Sequence, residues 1–532
     1  MSTSNLKLTS LIFLYLLLVG SLLGGCSTYD LLKHKNKPQP VSNAPLTPPS
    51  WQATLPHDGK VAELTDWWQQ FNDPVLTQLI ASAQLVNPDI ATARAKIATA
   101  QAAVTAANAQ LLPNVKVGAS ASRSRSGQAL PSSSGIVFPT SNTVGISADM
   151  SWELDVWGKN KADKNEEEAK LTGTRALWHE ARVIVAADTA KQYINYRLCE
   201  NLEKIDNKNV ESSSETARLS GLTAKAGFLA PAGASQAEAQ AAEAINQLKK
   251  QQLQCVLMVK SLVALTAIPE PDLQAALDKN SGMMPTPVNI EVDAVPAKTL
   301  AQRPDVLNAE RNVAAASFEI KVNEAQRYPS LSLGGNIGLS YDTAAHKLIT
   351  NRRSFFKDGL TWSIGPIAVS IPIYDAGVSK ANIKAAKAQY DSAKIIYESV
   401  ARNAVREVED ALVTLNSTAL RLDDVKKAAD GFNASLTATQ TRYQANLANL
   451  FELEEARRAS LQADTNVFTL ESERILAWID LYRAMGGGWT ATRNTLPNDT
   501  SALIFEYAIN HDINEVEVNP IDMKNPDANP RD

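Results

Sequence analysis

The chain has 532 residues, a formal net charge of -5, 44% hydrophobic residues and 20% charged ones. So mild a charge leaves no electrostatic footprint for a nucleic-acid partner. The five histidines (His34, His57, His179, His346, His511) are scattered without metal-ligand spacing, and no phosphate loop, G-x-S-x-G or H-E-x-x-H sequence occurs, so no metal, cofactor or catalytic residue is expected.

Residues 1–25 read as a signal peptide. Lys7 is followed by an apolar run from Leu11 to Val19, which is too short for a spanning helix of about 20 residues. The run closes on Leu22-Leu23-Gly24-Gly25-Cys26, which resembles the bacterial lipoprotein cleavage box. Cys26 is the expected lipidation site; the alternative is an ordinary signal peptide followed by a chance cysteine. Ser27 stands where an aspartate usually marks inner-membrane retention, which leaves the outer membrane open. Residues 26–60 form the expected lipidated tether, extended by the many prolines between Lys33 and Pro56. No second long apolar run follows, so no spanning helix is expected.

Two copies of one unit then follow, repeat 1 over residues 61–290 and repeat 2 over 291–489. Asn87-Pro88-Asp89 matches Arg303-Pro304-Asp305, Ala109–Pro113 matches Ala325–Pro329, and Gly118 matches Gly334. Ser151 and Gly158 match Ser370 and Gly377. So long a period denotes duplicated multi-element units rather than a short-repeat solenoid. Each unit opens with a helix at its N-P-D or R-P-D, where proline suits the first helical position and Asn87 can cap. These helices are expected to stop near Pro113 and Pro329. Two strands follow. Long helices are predicted over Lys159–Lys225 and Val378–Ala445, with returning helices over Pro231–Ala267 and Leu450–Met485. At 1.5 Å per residue such a bundle is about 100 Å long, a length that suits a rod or tube.

The strands point to a membrane. Val144, Ile146, Ala148, Met150, Trp152 and Leu154 alternate with Gly145, Ser147, Asp149, Ser151, Glu153 and Asp155, a strict period of two. Leu331–Tyr341 alternates likewise, a third strand starts at Val115, and the fourth, Leu360–Tyr374, changes phase at Gly365-Pro366, which predicts a bulge. One polar and one apolar face suit a lipid-facing barrel wall; a soluble sandwich layer is the alternative. Four strands cannot close into a barrel, and open edges are not tolerated in lipid. About eight strands is the minimum with a filled interior, so three chains giving twelve strands leave room for a lumen.

In this pattern the chain resembles the outer-membrane efflux protein family (TolC-like), in its NodT-type lipoprotein branch, over about residues 60–489. The resemblance rests on the duplicated unit, the Cys26 box, SWELDVWGK (Ser151–Lys159), Tyr482–Trp489, and the tip sequences AKAGFLAPAGASQAEA (Ala224–Ala239) and RYQANLANLFELEEA (Arg442–Ala456). It implies a mixed membrane fold: a trimeric 12-stranded β-barrel in the outer membrane, four strands per chain, continuous with a long α-helical periplasmic tunnel. It implies a homotrimer that meets a periplasmic adaptor protein and, through it, an inner-membrane pump, often of the resistance–nodulation–division type. The function implied is a passive exit duct, not an enzyme. A duct for type I protein secretion and a structural surface fibre are the alternatives.

The resemblance also places the sites. Gly227 and Asn446 fall at the hairpin tips, the expected adaptor contacts; the family usually has glycine at both, and asparagine tolerates the left-handed backbone. Glu452 and Glu455 align with carboxylates that line the periplasmic entrance, with Glu452 also readable as the partner of Asn449 in a capping box. The first tip has Gly233 and Gln236 at the matched places. Tyr443 aligns with a tyrosine that ties the closed helices together; plain helix packing is its alternative. Cys199 and Cys255 are equidistant from Gly227, so an antiparallel hairpin brings them to one height, either as a disulfide or as two small core residues. The tail, residues 490–532, is rich in Asn, Asp and Pro and matches nothing in the family pattern.

Overall fold

The structure is a computed structural model in which residues 64–125, 130–132, 135–137, 140–285, 303–342 and 360–487 are described. The expected signal peptide, Cys26, the tether and the tail lie outside the described residues. A 3-10 helix, Leu64–Phe71, leads into α1 (Pro74–Val86), and then α2 (Pro88–Ala109) opens the first repeat pattern. Strands β1 (Asn114–Arg125), β2 (Leu130–Ser132), β3 (Gly135–Val137) and β4 (Thr140–Leu154) precede α3 (Lys159–Lys225), α4 (Pro231–Thr266) and α5 (Glu270–Asp278). The second pattern is α6 (Pro304–Ala325), β5 (Ser330–Asp342), β6 (Leu360–Ser370), α7 (Val378–Gln444) and α8 (Leu450–Ala484).

The helix starts follow the local chemistry. Asn87 accepts from the N–H groups of Asp89 and Ile90, with Pro88 first in α2. Each 67-residue helix begins after a left-handed glycine, Gly158 at φ 74° and Gly377 at φ 90°. Aspartates three residues upstream and two upstream take over the capping. Asp155 accepts from the Asn160 and Lys161 N–H groups, and Asp375 from those of Gly377 and Ser379. The Ser379 hydroxyl, with these backbone donors, holds Asp375 down at about 2. Helices α3 and α4 form one antiparallel hairpin and α7 and α8 the other; α2 lies along α3, α6 packs on both α3 and α7, and α8 also touches α3. The buried side chains of α4 and α7 include many alanines, which let helix axes approach closely.

The main core surrounds the middle of α3. Trp67, Leu76, Leu79, Tyr193, Ile194, Leu262, Leu273, Leu277, Leu412 and Ile479 are buried there. Asp73 caps α1 and accepts the Tyr193 hydroxyl at 2.5 Å. Arg197, fully buried, donates to Tyr193 at 3.0 Å, to Glu200 at 2.6 Å and to the Leu277 carbonyl at 3.0 Å. Burial works against the Arg197 charge, but the bonds to Glu200 and Tyr193 outweigh it and raise the guanidinium's pKa. This polar network ties α1, α3 and the last turn of α5 together.

His179 lies half-buried on α3 beside Trp178, with ring centroids 4.8 Å apart. Burial, helped by the Arg182 charge, pushes it down to about 4 from 6.5. The folded chain therefore binds fewer protons than the unfolded one in that window, and stability falls as pH drops from 6.5 towards 4. Melting curves across this range should show a shallower decline in His179→Gln. Identical slopes would remove His179 as a source of acid sensitivity.

The sheet order is β1-β4-β5-β6, antiparallel throughout, with β2 and β3 forming a separate small hairpin. That hairpin was not expected from the sequence. The predicted phase change in the fourth strand is a register shift opposite Leu333 and Gly335, at Gly365-Pro366. The strand stops at Ser370 rather than Tyr374; Pro372, just beyond, has no N–H to continue a ladder.

Candidate functional site: the hairpin tips and the open sheet

Register sorts the sheet into two faces. Met150 stands between Val115 and Gly335, Ala148 between Val117 and Ile337, and Ile146 between Ala119 and Leu339. Trp362 and Ile364 extend two of these rows. The opposite face carries Lys116, Asp149, Asn336 and Ser363 in one row, with Gly, Ser and Thr above it. Asn336 and Ser147 both donate to Asp149. The apolar face is open: Val117 is 73% exposed, Trp362 71% and Ile364 81%. Strands β1 and β6 each have an unpaired edge among the described residues. In water such a surface and such edges are aggregation hazards. No single described helix is long and apolar enough to cross a membrane.

Both hairpin tips use the same turn. At the first, Gly227 has φ 80°, and the Phe228 N–H donates to the Thr223 carbonyl at 3.0 Å. At the second, Asn446 has φ 58°, and the Leu447 N–H donates to the Arg442 carbonyl at 2.7 Å. This is the six-to-one closure of a left-handed helix C-terminus, which asparagine supports in place of glycine. The tips are apolar and open, with Phe228 85%, Leu447 70% and Phe451 63% exposed.

Beyond the second tip, Asn449 and Glu452 form a complete capping box. The Glu452 N–H donates to the Asn449 side chain at 2.9 Å, and Arg442 lies 3.5 Å from the Glu452 carboxylate. Glu452 is half-buried and Glu455 exposed, one turn further along the helix. Tyr443 is half-buried on α7, with no hydrogen bond to its hydroxyl among the described residues.

Sequence reasoning missed a buried pair that begins between these acids. Glu454 and Arg457 are 5% and 4% exposed and form an ion pair. Arg457 also donates to the Thr216 hydroxyl at 2.7 Å and to the Ser212 carbonyl at 3.4 Å. It therefore fastens the return helix of the second hairpin to the outgoing helix of the first. Acid and base three apart read as a solvated helix face, so the sequence carried no signal of this burial. Asn433 on α7, bonded to Asp464 at 2.9 Å and to Ser460, holds the two arms of the second hairpin together.

Cys199 and Cys255 are joined in the structure, with Cα atoms 5.6 Å apart, linking α3 to α4. Gln251 covers the link, its amide 3.1 Å from the Cys199 sulfur and 3.3 Å from the Cys199 carbonyl. Among the described residues no group of three or more His, Cys, Asp or Glu side chains is placed to hold a metal.

The pattern of the family described as Outer membrane efflux protein matches residues 79–267 and 295–487. The chain is 27% identical over 445 residues to Nodulation protein T of Rhizobium leguminosarum bv. viciae, covering 84% of this chain and 88% of that protein. It is 25% identical over 485 residues to Outer membrane protein OprJ of Pseudomonas aeruginosa, covering 90% of this chain and 96% of that protein. Its fold is similar to that of the CmeC outer membrane channel of Campylobacter jejuni, with a TM-score of 0.73 at 22% identity over 88% of this chain and 95% of that one. The two matched blocks fall on the two repeats and take in most of the chain. The chain belongs to the outer membrane efflux protein family.

Proposed function

We propose that this protein is the outer-membrane exit duct of a tripartite efflux system, passively conducting small molecules from an inner-membrane pump and a periplasmic adaptor to the exterior. The carrying observation is the four-stranded sheet with an open apolar face and two edges unpaired among the described residues, continuous with helices of 67 residues. Three copies joined edge to edge remove the edges and turn the apolar face to lipid. The polar face then lines a lumen, and the helical hairpins continue it into the periplasm. The names of relatives support the efflux role: OprJ is an outer membrane protein, and a relative in Pseudomonas putida, 26% identical over 475 residues, is a toluene efflux pump outer membrane protein. Reconstitution in planar bilayers tests the reading. The purified protein should form trimers with stable conductance; a monomer without conductance would overturn it.

In this reading Gly227 and Asn446 set the turns that present Phe228 and Leu447 to an adaptor, and Cys26 carries the anchoring lipid. Palmitate labelling should be lost in Cys26→Ser. Equal labelling of both proteins would refute lipidation there.

Glu452 and Glu455 in three copies form acidic rings at the periplasmic entrance, which favour cations. Glu452 serves the capping box at the same time, since one carboxylate oxygen closes the cap and the other remains near Arg442. Tyr443 helps tie the helices of the closed entrance together; plain helix packing is the alternative. Replacing Glu452 by glutamine keeps the cap acceptor and removes charge. Glu452→Gln/Glu455→Gln should weaken block by multivalent cations and lower cation selectivity. Unchanged block and selectivity would assign both residues to capping and solvation.

A further inference from the structure

We propose that Arg123 and Arg125 form, on each subunit, a binding site for a phosphate-bearing lipid of the outer leaflet. The inference rests on the barrel reading above and adds a ligand to its outer face. Register places both arginines on the lipid side. The β1 residues of that face are Val115, Val117, Ala119, Ala121, Arg123 and Arg125, paired in order with Met150, Ala148, Ile146, Val144, Asn142 and Thr140. Both arginines are exposed. The apolar band along β4 runs from Leu154 beside the helices to Val144, where Tyr341 is the partner on β5. Ten residues at about 3.4 Å make it roughly 34 Å along the strand. Tilted by about 40°, that is a height of about 25 Å, the thickness of an outer-membrane barrel's apolar band. Arg123 and Arg125 lie one and two pleats beyond Val144, at the end away from the helices. They therefore sit at the headgroup level of the leaflet that faces the exterior.

The charge on this face is one-sided. Among the described strand residues, Asp149 and Glu153 belong to the lumen face with Lys116, and no carboxylate falls on the lipid face. A solvated surface elsewhere on the chain mixes both signs, as the many helical acid–base pairs show. Two guanidinium groups on alternate residues, about 7 Å apart along the strand, match phosphate oxygens through paired N–H donors. The long methylene stem of an arginine lets its charged end reach the polar layer from an apolar strand face. A phosphorylated glycolipid supplies both halves of the match, acyl chains for the band and phosphate for the arginines.

The test uses the full-length protein in phosphatidylcholine nanodiscs doped with a diphosphorylated glucosamine-disaccharide lipid, with bound lipid counted by native mass spectrometry. Wild type should retain this lipid, and Arg123→Gln/Arg125→Gln should bind it at least about tenfold more weakly, as expected for lost charge-assisted bonds. The Arg123→Lys/Arg125→Lys protein should fall between them. Equal retention by wild type and the glutamine variant would overturn the site, as would equal retention of the dephosphorylated lipid. Displacement of the lipid by inorganic phosphate would show a free-anion site and overturn the lipid assignment. Planar-bilayer conductance is recorded for both proteins. Conducting trimers of both, with retention lost only in the variant, support the site. Conducting trimers with equal retention overturn the lipid site alone, whereas a wild type that conducts nothing overturns the barrel reading and the site together.

Discussion

Replacing Arg457 with methionine should destabilise the helical part of the chain by about 3–5 kcal/mol, the cost of leaving Glu454 buried without its partner. The pair is almost wholly out of solvent, and the guanidinium also supplies the Thr216 and Ser212 contacts. Arg457 lies eleven residues past Asn446, about 16 Å along the helix from the tip. Its loss should free the second hairpin from the first close to the entrance. Two measurements follow: denaturant unfolding of the detergent-solubilised protein, and single-channel recording. Lower stability with longer or larger open states is the expected result. Glu454→Leu/Arg457→Met should recover part of the lost stability, because no charge is then left unpaired. An Arg457→Met protein as stable as wild type would show that water reaches Glu454 freely, contrary to its burial.

Removing the Cys199–Cys255 link should cost a similar amount. The two residues are 56 apart in sequence, and the chain-entropy model gives roughly 4 kcal/mol for closing such a loop, less any strain. Their Cα separation of 5.6 Å lies within the range a disulfide accepts, and an exported protein folds where disulfides persist. Cys199→Ser/Cys255→Ser should melt lower than wild type under oxidising conditions and alike with it once the wild type is fully reduced. Non-reducing mass spectrometry gives the direct answer. Free thiols at both positions in oxidised, natively purified protein would end the proposal.

The parts of this fold that were legible in the sequence are those that meet two different solvents. Strand β4 touches lipid on one side and water on the other, so its alternation from Val144 to Leu154 is strict. The long helices were legible from the matched Gly158 and Gly377, from their Ala, Lys, Glu and Gln content, and from the tip sequences. Helix α1 and the 3-10 turn before it were not. They bury Trp67 against Trp478 and Tyr482 of α8 and Leu76 and Leu79 in the core that α1 shares with α3 and α4, but they lie ahead of the Asn87-Pro88-Asp89 signal from which the repeated unit was read. Helix α5 was missed for another reason: its nine residues are too few for periodicity to show. At the entrance, the capping box was readable because Asn449 and Glu452 have the required spacing. The Arg457 bridge was not, because its partners Ser212 and Thr216 lie on another helix more than 240 residues away. A bond made across such a distance leaves no local pattern.

The two open edges of the sheet have a genetic consequence. Edge β1 of one subunit meets edge β6 of the next, so every ring contact is head to tail. A subunit damaged only along β1 still offers a sound β6. It is therefore admitted to a growing ring and then prevents its closure. If mutant and wild-type chains are made in equal amounts and mix freely, about one trimer in eight is wholly wild type. A lesion confined to one edge strand should thus be dominant over a wild-type copy in the same cell, while a lesion that destroys both edges should be recessive, because its product never enters the ring.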